Sequence, residues 1–133
     1  MDKFVSLIKD NLLRGKPLLI VGPYGTAKLE RTVKAIEASD LSRRLCFMDL
    51  LDYDFPNGFD IKQWAKGSHD NEVMVFDGMQ KADPRYIEFI LTQMKNPDRI
   101  VVLIGTTCPL VVAMKCNLIT ISTEEHIKLW LGI

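Results

Sequence analysis

The sequence predicts an α/β fold in which helices cover both faces of a parallel sheet. Short, solid apolar runs recur along the chain as PLLIVG, RLCFMDL, EVMVFDG, RIVVLIGTT and NLITIS. A run without polar alternation is the pattern of a strand buried on both faces. Segments with apolar residues at helical spacing lie between these runs, and βαβα alternation builds parallel sheets through right-handed crossovers. The 133 residues, 47% of them hydrophobic, are the size of one domain with a substantial core, so 1–133 reads as a single domain.

From the N-terminus, Phe4, Leu7, Ile8 and Leu12 recur at helical spacing, and Gly15 ahead of Pro17 is a stop signal. PLLIVG follows as the first strand. AKLERTVKAIEASD then carries Leu29, Val33 and Ile36 in helical rhythm, and RLCFMDL is the second strand. LLDYDFPNGFDIKQWAKGSHDN is irregular, with a turn signal at Pro56, Asn57 and Gly58 and a short helix around 61–65. After the third strand, EVMVFDG, the segment DPRYIEFILTQMKN opens with an Asp-Pro start signal and sets Tyr86, Phe89, Ile90 and Met94 on one face. RIVVLIGTT and NLITIS complete a set of five strands. No internal repeat or low-complexity linker interrupts the series.

Seventeen basic and seventeen acidic residues cancel, so bulk charge favours neither nucleic acid nor an anionic membrane. A contact with DNA would have to be local, through the patch of Lys28, Arg31, Lys34, Arg43 and Arg44, although a solvated helix face is the simpler explanation of that patch. No apolar run is long enough to span a bilayer, and charges every few residues in MDKFVSLIKDNLLRGK break up any signal-peptide core. Cys46, Cys108 and Cys116 are odd in number and lack CxxC spacing, which reads as reduced packing thiols in a cytoplasmic compartment. His69 and His126 have no third ligand nearby in sequence, which argues against a metal site built on them.

The chemistry-bearing stretch is LLIVGPYGTAKLERTV. The phosphate-loop pattern is glycine, four residues, glycine, lysine, then serine or threonine, following a strand and opening a helix. Gly22, the residues Pro23, Tyr24, Gly25 and Thr26, then Ala27, Lys28 and Leu29 stand in that register. Main-chain N–H groups and the positive end of the helix would surround phosphate oxygens, with Lys28 reaching the outer phosphates of a nucleotide such as ATP. Ala27 replaces the second glycine with one added methyl group, which is mild if the residue has right-handed helical dihedrals. Leu29 offers no oxygen where the pattern has a magnesium-ligating hydroxyl, so any Mg2+ site is weakened or absent.

A second signal is Asp77, where four apolar residues run into a carboxylate at a strand end. In phosphate-loop enzymes that aspartate holds magnesium through water, and an adjacent glutamate polarises the attacking water. Gly78 stands in the adjacent position, which removes the general base. A strand-end aspartate that merely caps its turn is the simpler alternative for Asp77 taken alone.

The segment EVMVFDGMQKADPRYIEFILTQMKNPDRIVVLIGTTCPLVVAMKCNLITIST resembles AAA+ clamp-loader ATPases, such as the bacterial DNA polymerase III gamma and delta-prime subunits. Asp77, the helix from Pro84 to Met94, Lys95-Asn96-Pro97, Thr106-Thr107 and Met114-Lys115-Cys116 fall in the family's order at similar spacing. The resemblance implies a phosphate-loop NTPase core with three layers and sheet order 5-1-4-3-2. It also implies that Thr107 senses the outermost phosphate and that Lys115 stands where the family has an arginine reaching a neighbouring subunit's nucleotide. Lysine lacks the bidentate fork of that arginine. The family's four-cysteine zinc insertion is absent, and STEEHIKLWLGI falls where a helical lid would begin, with Leu129, Trp130, Leu131 and Ile133 either folding back onto the core or facing a partner.

These readings converge on an ATP-binding accessory of DNA replication, with AAA+ or other replication proteins as partners and feeble or no ATP hydrolysis. The lost groups at Leu29, Gly78 and Lys115 support the alternative of a scaffold that keeps the fold without binding nucleotide. A small nucleotide kinase shares the loop and the size but needs an arginine-rich lid that the sequence does not contain.

Overall fold

The structure, a computed structural model, describes residues 3–39, 45–50 and 73–121. The turn expected at Pro56, the helix around 61–65, Arg43, Arg44, both histidines and the apolar residues 129–133 lie outside the described residues.

Helix α1 (Lys3–Leu12) precedes β1 (Leu18–Val21), α2 (Lys28–Ala38) and β2 (Leu45–Asp49). Then come β3 (Val73–Asp77), a 3-10 turn (Met79–Lys81), α3 (Pro84–Met94), β4 (Ile100–Gly105), the short α4 (Leu110–Ala113) and β5 (Asn117–Thr120). The five strands form one sheet of order β2-β3-β4-β1-β5 with every pairing parallel. Read from the other edge, this is the order 5-1-4-3-2.

Alternation along the buried strands divides the core into two layers. Leu18, Ile20, Val73, Val75, Ile100, Val102 and Ile104 face α1 and α2, whereas Leu19, Met74, Phe76, Val101 and Leu103 face α3 and α4. The central strand β4 is buried along its whole length, which explains its unbroken apolar run. The edge strands differ from that expectation. Leu45 and Phe47 in β2 and Leu118 in β5 are exposed, because an edge strand has a neighbour on one side only.

The helix faces also shift from the sequence reading. In α1 the buried residues are Val5, Ile8, Asn11 and Leu12, while Leu7 is exposed, because the helix turns Val5 inward against α2. In α2 the fully buried positions are Thr32, Ala35 and Ile36, with Leu29 and Val33 half-buried. Thr32 is tolerated inside because its hydroxyl donates to Lys28 O at 2.7 Å. Tyr86, Phe89 and Ile90 of α3 are buried as expected, and the Phe76 and Phe89 rings meet edge-on at 6.0 Å. Cys46, Cys108 and Cys116 are free thiols packed against this second layer. Burial pushes Cys108 up to about 11 and Cys116 to about 12, which favours the protonated thiol at neutral pH.

Asp83 caps α3, its carboxylate accepting from the N–H groups of Arg85 at 2.9 Å and Tyr86 at 3.3 Å. The Arg85 guanidinium, which donates to the same carboxylate at 3.0 Å, and to a lesser degree these N–H bonds hold its carboxyl below the ordinary aspartate value. Asp83→Ala should lower stability by about 1 kcal/mol at neutral pH, the usual worth of such a cap. A group with a lowered folded pKa loses its contribution as pH falls through that value, so denaturant melts of parent and variant should converge in acid.

Candidate functional site

Parallel strands deliver all their C-terminal ends to one edge of the sheet, and the loops leaving β1, β3 and β4 meet there. Gly22 N–H donates to Gly105 O at 3.2 Å and Gly78 N–H to Ile104 O at 2.9 Å, so the three loops depart from one level. Between them lies a cleft of about 310 Å³ lined by Tyr24, Gly25, Ala27, Lys28, Leu29, Glu30, Asp77, Gln80, Gly105 and Thr106. Crevices outside the carboxyl ends of parallel strands are where open α/β sheets bind ligands.

The loop that enters α2 is tightly built. A Cβ at Gly22 would stand 2.6 Å from Ile121 O, so no side chain fits where the loop passes β5. Thr26 is buried, and its hydroxyl donates to Pro23 O at 2.8 Å. The Lys28 ammonium turns back into the loop and donates to Pro23 O at 2.7 Å, Gly22 O at 2.9 Å and Thr26 Oγ1 at 3.3 Å. Those contacts use all three of its N–H donors. Arg31 donates to Thr26 O at 2.8 Å and lies 5.0 Å from the centre of the Phe4 ring, which ties the loop to α1 and commits one member of the basic patch.

Two backbone conformations correct the sequence reading. Ala27 is not right-handed: at φ 52° and ψ 40° it occupies the left-handed region, the one described residue other than glycine with positive φ. The loop must reverse before α2 can start, and that reversal is what a glycine would have allowed without strain. Ala27 therefore stores about 1–2 kcal/mol of local strain. Gly78 has φ 91°, so the position after Asp77 is held in a conformation that glycine adopts freely and glutamate does not.

The carboxylates cluster beside the lysine. Asp77 pairs in register with Asp49 on β2. Burial first, and then the Asp49 charge, push the Asp77 carboxyl above its ordinary value, with the Gly78 N–H and Lys28 opposing. Burial pulls the Lys28 ammonium below its ordinary value, and Asp77 partly restores it. Leu29 lines the cleft and packs against the core, and no group of three or more His, Cys, Asp or Glu suited to a metal ion occurs among the described residues. Leu29 itself offers no oxygen to a cation in this cleft.

Thr107 is exposed outside the cleft lining, and it is Thr106 that faces in. Lys115 precedes β5 at the opposite end of the sheet, where Asn117 N–H donates to Pro17 O at 2.8 Å. The cleft also contains Gln80, which carries no pattern in the sequence beyond its place three residues after Asp77. No described helix is long and apolar enough to cross a membrane. Comparison of the sequence with protein-family models and with curated proteins gives no match.

Ala27→Gly should raise stability by about 1 kcal/mol through relief of the left-handed alanine, measured by denaturant unfolding. The native state holds the Asp77 proton more tightly than the unfolded chain does, so stability falls as pH rises from the ordinary aspartate range through the raised value. Asp77→Asn should thus melt above the parent at neutral pH, and the two melting temperatures should meet in acid.

Proposed function

We propose that this chain is a degenerate phosphate-loop domain of AAA+ clamp-loader type that binds ATP with little or no hydrolysis and serves as an accessory in DNA replication. The observation that carries the nucleotide reading is the cleft itself. A glycine-containing strand-to-helix loop, the start of α2 without a side-chain cap, Lys28 and Asp77 converge at the C-terminal edge of a sheet ordered β2-β3-β4-β1-β5. The uncapped helix start and loop N–H groups favour phosphate oxygens, and Lys28 supplies the adjacent positive charge. The replication role and partners among AAA+ proteins rest on the resemblance of the segment from Glu72 onward.

Feeble chemistry follows from the same residues. Leu29 offers no metal ligand, and Gly78 offers no base, whose usual contribution is about 10²–10⁴-fold in rate. Turnover therefore stays near background even when nucleotide is held.

One observation favours the non-binding scaffold as a second reading. The Lys28 ammonium already spends its donors on Gly22, Pro23 and Thr26, so a phosphate must compete with the loop's own acceptors. Titration with a fluorescent ATP analogue, with and without magnesium, separates the two. Saturable binding that changes little with magnesium and weakens about tenfold or more in a folded Lys28→Ala variant is expected for the nucleotide reading, the loss being that of a charged phosphate contact. Absence of saturable binding to the parent selects the scaffold.

A further inference from the structure

We infer that Gln80 is the specificity-determining donor of this cleft, contributing its side-chain N–H to the outermost phosphate of a nucleoside triphosphate and so favouring it over the diphosphate. The inference rests on the nucleotide reading of the cleft. Gln80 sits on the 3-10 turn after Asp77, and that turn is rigidly mounted. Met79 beside it is fully buried, Gly78 N–H is bonded to Ile104 O, and Lys81 N–H returns to Gly78 O at 2.8 Å.

The orientation of the carboxamide is decided by its neighbours. Thr106 N–H can only donate, and it points at the Gln80 side chain at 3.1 Å, so the atom facing it is Oε1. A Cβ on Gly105 would stand 2.9 Å from the same oxygen, which shows how closely the acceptor end is seated on β4. Nε2 is therefore turned the other way, toward the phosphate loop, where it donates to the Tyr24 hydroxyl at 3.2 Å. Tyr24 is 69% exposed, so that partner can exchange for water or ligand at little cost.

The surroundings explain why such a donor matters. Lys28 serves the floor of the loop, and the wall made by β3 and α2 contributes the carboxylates Asp77 and Glu30 to the lining. Anionic oxygens placed beside these acids need a neutral or positive donor to offset the like charge. Gln80 Nε2 is anchored at its far end, aimed across the cleft and held by an exchangeable bond. A diphosphate lacks the terminal group that this donor would meet.

The test is calorimetric titration of the parent, Gln80→Ala, Gln80→Glu and Tyr24→Phe with ATP and with ADP, each in chelator and each variant first shown to melt cooperatively. Gln80→Glu keeps the acceptor for Thr106 and guards against misfolding of the alanine variant. Expected are a loss of about tenfold in ATP affinity for Gln80→Ala, as for one hydrogen bond to a charged group, and at least as great a loss for Gln80→Glu. ADP affinity should stay within about twofold, and Tyr24→Phe should bind ATP as tightly as the parent or more so, its competing acceptor being gone. Equal losses for both nucleotides, or no loss with ATP, would overturn the assignment while leaving the nucleotide reading intact. A parent that binds neither nucleotide would remove both.

Discussion

The constraint on which the rest of this structure depends is that all five strands run the same way. In a parallel sheet every strand exits at one edge, and every return must cross a face through a helix, so loops of different sequence origin are gathered at one end. Here that end collects the turn after Val21, the turn after Asp77 and the turn after Gly105. Because β4 lies between β1 and β3, the phosphate-type loop and Asp77 are one strand apart. The opening between them is the cleft.

Burial on both faces gives the scaffold its rigidity. The strands β1, β3 and β4 are almost entirely enclosed, so their register is held by two packed layers rather than by hydrogen bonds alone. That stiffness lets the loops carry unfavourable features. A left-handed alanine, a lysine folded onto carbonyls and an aspartate pushed toward its neutral form all sit on it. Each departs from the locally preferred state, and all three lie at the same edge of the sheet.

Packing reaches this edge as well, because Leu29 belongs as much to the core as to the cleft. Gly78 is tied by its conformation and its bond to Ile104 O. The polar groups at this edge are main-chain N–H groups, Lys28, Asp77, Glu30 and the anchored Gln80.

The sequence by itself determined the class of fold, the identity of the strands and the place of the loop, because each is a local property. An apolar run without alternation has few alternatives to a doubly buried strand, and Asp83-Pro84 starts a helix through bonds made within three residues. Sheet order came from a resemblance, since no run of residues states which strand will lie beside which. Tertiary structure alone decided the rest. Whether Val5 or Leu7 faced inward depended on the angle of α1 against α2, since both are apolar and both lie near the buried stripe. The left-handed turn at Ala27 shows only in the folded loop that reverses into α2, and the tight passage of Gly22 is set by Ile121, a residue distant in sequence. The choice of Thr106 over Thr107 and the aim of Gln80 depend on contacts between residues 26 and 56 positions apart, and no local pattern encodes such pairings.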